Sequence, residues 1–218
     1  MSKERVTTAR GPRGPRPARG ASHEATGGRA RVALGVSGGI AAYKSAEIVR
    51  GLSREGVEVQ VLMTENALRF ITPLTLQTLS GHPVLSNPWD LTQGADIQHI
   101  ALARGLDLFL VAPATADVLA KLAHGLADDA VTTFHLAVTA PVVVAPAMNL
   151  WMWEHAATQS NLKLLKERGV RVIDPGTGEL ACGEEGIGRM AEPQEIVREV
   201  LALLKKKAPA HLRAAASS

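Results

Sequence analysis

The chain has one cysteine, Cys182, in 218 residues. One thiol cannot close an internal disulfide, so the sequence fits a reducing compartment or leaves a reactive thiol. Taken alone, a single cysteine fits a small buried hydrophobe equally well. Long apolar runs are also missing. Hydrophobic residues make up 46% of the chain, yet no stretch approaches the roughly 20 apolar residues of a membrane-spanning helix. The first residues carry Arg, Gly and Pro without an apolar h-region, so no secretory signal is expected. His82, His124, His135 and His155 lack partners at metal-ligand spacing, and no His/Cys/Asp cluster reads as zinc. A cytoplasmic chain with no metal site and no membrane contact is the expectation.

A basic groove is lacking as well. Residues 1–31 hold eight Lys/Arg against Glu4 and Glu24, a balance of +6, and residues 205–218 add +4. The whole chain carries +3, which leaves −7 for the middle. The basicity belongs to the tails, and nucleic acid is not the expected partner.

What is present has a clear order. Residues 1–29, with "GPRGPRPARG" near their centre, are poor in large apolar residues and rich in helix breakers; they read as a disordered, solubilising arm. From Val32 the pattern becomes strand, turn, helix. "RVALGV" is a strand, and "IAAYKSAEIVRGLSREG" has helical spacing closed by Gly56. "VEVQVLMT" alternates as a second strand. "DLFLVAPA" and "APVVVAPA" are near-continuous apolar runs, as expected of parallel strands covered on both faces. "VRVIDP" adds another strand, and "ADVLAKLAHG", "DDAVTTFHLAVT", "WMWEHAATQSNLKLLKERG" and "PQEIVREVLALLKKK" read as helices. Strands alternating with helices predict an α/β fold with a doubly wound parallel sheet, whose ligands sit beyond the carboxyl ends of the strands.

Five segments follow predicted strands: "SGGIA", "TENALRF", "PATAD", "PAMN" and "PGTGELACGEEGIGRM". The first almost spells a nucleotide-triphosphate loop, but Tyr43 stands where the second glycine belongs before Lys44 and Ser45. A Cβ there obstructs backbone wrapping around a β-phosphate. Lys44, one turn into the helix, is expected to face solvent. Gly38 and Gly39 then suit a tight turn at a helix N-terminus, offering N–H groups to a single phosphate. Thr64 and Ser37 can each cap a helix or donate to a phosphate, and Asn149 can cap the helix it precedes. Trp151 and Trp153 read equally as packing or as ligand neighbours. The five glycines of "GTGELACGEEGIGRM" imply a flexible loop, and a thiol in such a polar flap is not a typical core cysteine.

The segments "LGVSGGIAAYKSAEIVRGL", "MTENALRFITPLTLQTLSG", "HIAL", "APATADVLAKLAHGLADD", "VAPAMNLWMW" and "ACGEEGIGRMAEP" together resemble the homo-oligomeric flavin-containing cysteine decarboxylases over roughly residues 31–204. The resemblance implies a Rossmann-like (flavodoxin-like) single domain at 30–204, between the arm and a tail at 205–218. It implies FMN, held by residues matching Gly38, Gly39, Ile40, Thr64, Phe70, Thr115, Ala116, Asp117, Val118 and Ala147. His99 matches the family's base and Cys182 its proton donor, in a flap that covers the substrate. Asn149 matches the residue that holds the substrate carboxylate, with Leu180 and Ala181 beside the substrate. Two positions depart from the family pattern: Asp117 stands where many members carry Asn, and Ala101 replaces an acid near His99.

The implied reaction is FMN-dependent decarboxylation of 4′-phosphopantothenoylcysteine to 4′-phosphopantetheine in coenzyme A synthesis. The implied assembly is trimer-based, a trimer or dodecamer; a separate phosphopantothenate–cysteine ligase is an open further partner, the chain reading either as a stand-alone decarboxylase or as a separated half. A non-catalytic flavoprotein regulatory subunit and an oxidative peptidyl-cysteine decarboxylase remain open beside it. The former can lack the histidine or the cysteine, which this chain keeps; Cys182 argues against the latter.

If the arm lies outside the active assembly, deleting residues 1–29 leaves turnover within about twofold. A steady-state assay showing a tenfold loss, about 1.4 kcal/mol of barrier, would make the arm part of it.

Overall fold

The structure is a computed structural model that describes residues 29–87, 102–103, 105–179 and 185–207. Five parallel strands form its centre: β1 (Arg31–Val36), β2 (Glu58–Met63), β3 (Leu108–Ala114), β4 (Val142–Pro146) and β5 (Arg171–Val172). They lie in the order β2-β1-β3-β4-β5, the order of flavodoxin-like doubly wound sheets. The register aligns Val32 with both Val59 and Leu108, and Leu110 with Val143.

Strand side chains alternate between faces, and here both faces are covered. Val32, Leu34, Leu108, Leu110 and Val143 point into one apolar layer. That layer is completed by Ile48 and Leu52 of α1 (Ser45–Arg54), Leu76 of α2 (Pro73–Ser80), and Ile196 and Val200 of α7 (Pro193–Lys207). Ala33, Phe109, Val111 and Val144 point the other way. They meet Leu119 and Leu122 of α3 (Ala116–His124), Phe134 of α4 (Ala130–Ala137), and Leu162 and Leu165 of α6 (Ala156–Glu167). Phe109 and Phe134 pack edge to face, with centroids 5.0 Å apart, a geometry that adds to area burial.

Three sequence readings change. The segment "WMWEHAATQSNLKLLKERG" is two helices rather than one, α5 (Leu150–Glu154) and α6. His155 adopts an extended ψ of 132° between them, and its Nδ1 accepts from the Ala157 N–H at 3.2 Å, capping the second helix. The glycine-rich segment is not loop throughout: Gly176–Glu179 (β6) and Glu185–Arg189 (β7) pair as an antiparallel hairpin. The helix after β1 begins as a 3-10 turn at Ile40–Lys44 before α1 starts. The final helix runs to Lys207.

His135 on α4 is half-buried beside Phe109, with ring centroids 6.4 Å apart, and its Nδ1 has no hydrogen-bond partner among the described residues. Burial, and secondarily the Arg168 charge, push its pKa below the ordinary 6.5. The unfolded chain therefore takes up this proton first as pH falls. The stability linked to His135 is complete above pH 6.5 and declines below it until the folded pKa is passed. Denaturant midpoints at pH 7.5 and 5.5 should fall less for His135→Phe than for the parent chain. An identical pH dependence in both would remove His135 from the account.

Candidate functional site

Strands β1, β2, β3 and β4 each end in a segment that carries polar chemistry, and a serine ties two of those ends together. Ser37, fully buried after β1, donates its hydroxyl to Pro113 O at 2.7 Å and accepts from the Thr115 N–H at 3.1 Å. Ser45 Oγ donates to Ala112 O at 2.9 Å. The β3–β4 register shifts between Val111 and Ala114, so these hydroxyls serve carbonyls at an interruption of the ladder. Ser37 and Ser45 thus fix the glycine turn on the end of β3. The Ser37 hydroxyl proton is committed to that bond and not to a ligand.

A cleft of about 590 Å³ opens above this junction, within the size range of small-molecule sites. Gly38, Gly39, Ile40, Thr115, Ala147 and Asn149 line it, with Tyr43, Lys44, Met148, Met152, Gly188, Arg189 and Met190. A Cβ on Gly38 would lie 2.5 Å from the Asn66 Cβ and 2.6 Å from the Asn66 carbonyl carbon. Glycine is therefore required for the turn after β2 to press against the turn after β1. Gly39, extended at φ −169°, precedes the 3-10 turn, and no side chain caps that turn.

Of the residues expected to contact a cofactor, the cleft gathers Gly38, Gly39, Ile40, Thr115 and Ala147. Thr64, Phe70, Ala116, Asp117 and Val118 do not line it. Thr64 is buried, and its hydroxyl accepts from the Ala67 N–H at 3.3 Å as a helix cap. Phe70 is 48% exposed. Thr115 caps α3 by accepting from the Val118 N–H at 3.4 Å, while the Val118 side chain enters the core. Asp117 pairs with Lys121 at 3.4 Å, and Lys121 also meets Asp128 at 3.0 Å. Burial lowers the Lys121 pKa, but Asp128 and Asp117 together outweigh it and hold it above the ordinary lysine value. The Lys121 hydrogen bond in turn holds Asp128 below the usual carboxylate range.

Asn149 lines the cleft and caps α5, its Oδ1 accepting from the Met152 N–H at 2.9 Å. That bond fixes the amide and leaves the NH₂ group as donor. His99, Leu180, Ala181 and Cys182 lie outside the described residues. Trp151 is exposed, whereas Trp153 packs on the second apolar layer.

The base of the hairpin is built into the cleft. Gly188 O accepts from the Met148 N–H at 3.0 Å, and a Cβ on Gly188, at φ 140°, would collide with Met148 O. Lys44 does not face solvent: its side chain is 8% exposed, and its ammonium donates to both oxygens of Glu192, at 3.1 and 3.2 Å. A 3-10 turn advances about 120° per residue against 100° in an α-helix. Over the four steps from Ile40 that rotates Lys44 by about 80°, away from the face an α-helix would give it. Arg189 joins the same carboxylate at 3.2 Å. Neither Arg189 nor the Lys44 pairing stood out in the sequence, although "GIGRMAEP" places the arginine and the glutamate three residues apart on the return strand.

Comparison with known proteins agrees with this architecture. The chain is 50% identical over 167 residues to the coenzyme A biosynthesis bifunctional protein CoaBC of Vibrio vulnificus, covering 77% of this chain and 42% of that protein. It thus spans about two fifths of the length of such relatives. The fold matches a cysteine-to-serine mutant of a PPC decarboxylase complexed with pantothenoylaminoethenethiol, with a TM-score of 0.74 and 34% identity over 80% of this chain and 97% of that one. It matches the FMN binding protein AtHal3 with the same score and identity over 83% and 100% of the two chains. A family profile described as Flavoprotein matches residues 20–205, and the chain belongs to the Flavoprotein family.

Proposed function

We propose that the chain binds FMN and decarboxylates 4′-phosphopantothenoylcysteine to 4′-phosphopantetheine. The observation that carries this reading is the cleft itself: the glycine turn, Thr115, Ala147 and Asn149 converge there with the base of the hairpin whose sequence contains Cys182. The donor set suits a flavin mononucleotide. Gly38 and Gly39 leave the backbone bare before an uncapped helical turn, which suits one phosphate. Ile40, Met148, Met152 and Met190 offer apolar wall to a flat ring. Held by these residues, FMN would supply reversible two-electron redox chemistry at the substrate's CH₂–SH, which would make loss of CO₂ from the adjacent carbon feasible in a net redox-neutral reaction.

The chain's own residues bind, orient and move protons. The NH₂ of Asn149, fixed by the cap bond to Met152, orients the substrate carboxylate. His99 serves as the base at the substrate, and Cys182 donates the proton that accompanies return of the electrons. Leu180 and Ala181 flank the substrate in the same flap. Thr64, Phe70, Ala116, Asp117 and Val118 lie on the turns after β2 and β3 outside the cleft lining, and would reach the cofactor only beyond that lining; Phe70, half-exposed, would do so at a subunit boundary in a trimer-based assembly. The domain covers 30–204, with the arm outside it and a tail at 205–218 whose first three residues continue α7. A phosphopantothenate–cysteine ligase activity, which the bifunctional relatives carry beside this domain, supplies the substrate. No described helix is long and apolar enough to cross a membrane; a cytoplasmic setting belongs to the same proposal and is supported by the role of the relatives in coenzyme A biosynthesis.

The test is direct. Purified protein should be yellow with non-covalent FMN, and should release CO₂ and phosphopantetheine from phosphopantothenoylcysteine. Stoichiometric FAD or ATP, or no turnover, would overturn the reading. Cys182→Ser separates the halves of the reaction. Serine is a far weaker acid than a thiol of pKa about 8.5, so this variant should still release CO₂, accumulate reduced flavin and an aminoenethiol product, and make little phosphopantetheine. Anaerobic flavin absorbance with mass analysis reads the outcome. Phosphopantetheine at the parent rate would leave Cys182 no role in proton donation.

A further inference from the structure

Two charged side chains line the cleft among the described residues, Lys44 and Arg189, and both are cationic. A single carboxylate, Glu192, stands behind them. The Lys44 ammonium is almost fully enclosed and reaches both Glu192 oxygens, whereas the Arg189 guanidinium is about half exposed and meets Oε1 through Nη2 at 3.2 Å. The ion triad therefore carries a net charge of +1. The lysine is the anchored member and the arginine the available one. A guanidinium has five N–H donors in a planar fork that matches carboxylate or phosphate oxygens.

The backbone holds Arg189 where those donors count. It ends β7, directly after Gly188, whose carbonyl accepts from Met148 N–H beside Asn149. The Glu192 bond restrains the side chain further, which lowers the conformational entropy lost on binding. Asn149 offers a neutral amide at the same wall, and an anionic substrate leaves part of its charge unmatched there.

We propose that Arg189, positioned by the Lys44–Glu192 ion pair, is a specificity-determining residue that binds an anionic oxygen group of the substrate at the mouth of the cleft. The proposal rests on the decarboxylase reading for the identity of that substrate, which carries two such groups, a carboxylate and a phosphate. Glu192 acts through Arg189 and is a positioning residue.

The experiment is calorimetric titration of FMN-loaded protein in a His99→Asn background, where ligand is bound without being consumed. The ligands are 4′-phosphopantothenoylcysteine and its dephosphorylated form. Arg189→Met should raise the dissociation constant at least tenfold for the phosphorylated ligand, with FMN content unchanged. Arg189→Lys should recover part of the loss, since it keeps the charge without the fork. Glu192→Gln should fall between parent and Arg189→Met. A loss confined to the phosphorylated ligand identifies the phosphate as the group held, and an equal loss for both identifies the carboxylate; either supports the proposal. Equal affinities for parent and Arg189→Met, or loss of FMN in place of substrate, overturn it. A chain with His99 intact that binds the ligand but releases no CO₂ overturns the decarboxylase reading while the Arg189 assignment stands. Failure of the parent to bind either ligand overturns both.

Discussion

Strand β3 is buried at all seven of its residues, and the position of the cleft follows from that burial. A strand covered on both faces must alternate two sets of apolar side chains, one for each helical layer, and it has no polar side of its own. Polar chemistry can then appear only where the strand stops. Pro113 and Thr115 mark that stop, and Ser37 bridges it to the end of β1 through both an accepted and a donated hydrogen bond. In the order β2-β1-β3-β4-β5, β1 and β3 are also the strands between which the chain reverses its direction of growth across the sheet, where ligand crevices of such folds form. The glycine turn is held at that point by two buried hydroxyls, so its bare backbone stays open toward the cleft.

The sheet was legible because its signal is local. "DLFLVAPA" and "APVVVAPA" contain their own evidence, a run of apolar residues too continuous for a half-exposed strand. The last helix was equally legible from "PQEIVREVLALLKKK", with proline at the start and lysines at the end. Elements whose structure depends on a remote partner were not. Lys44 is turned inward by a 3-10 geometry and a carboxylate 148 residues away, and nothing within its own window announces either. The helix break at His155 arises because an imidazole nitrogen serves as a cap, a role that spacing of apolar residues does not encode. Glycines at 176, 178, 186 and 188 hid the hairpin, since they supply no alternating side chains to mark a strand.

The same division runs through the site. Gly38, Gly39, Thr115, Ala147 and Asn149 lie in segments that follow a legible strand by one to three residues; the resemblance to the flavin-containing cysteine decarboxylases singled them out within those segments, and the sheet carries them together. Arg189 and Met190 arrive from the hairpin, which reaches the cleft by a backbone bond from Met148 and not through the sheet. Placing them requires knowing that Gly188 can approach Met148 only because it lacks a Cβ.

The charge distribution shows why such a local device matters. Outside its basic tails the chain carries −7, so the long-range field of the domain opposes an anionic ligand. Fields from exposed charges decay over about 8 Å at physiological ionic strength, whereas cations in a concave, partly dry wall act at contact distance and are screened far less. Lys44 and Arg189 face the cleft, and the carboxylate that pairs them is not among its lining residues. The sign felt by a bound group is therefore set by those two side chains and not by the domain's total. An acidic domain can in this way hold an anionic ligand: the repulsion is distributed and screened, and the attraction is concentrated at one wall.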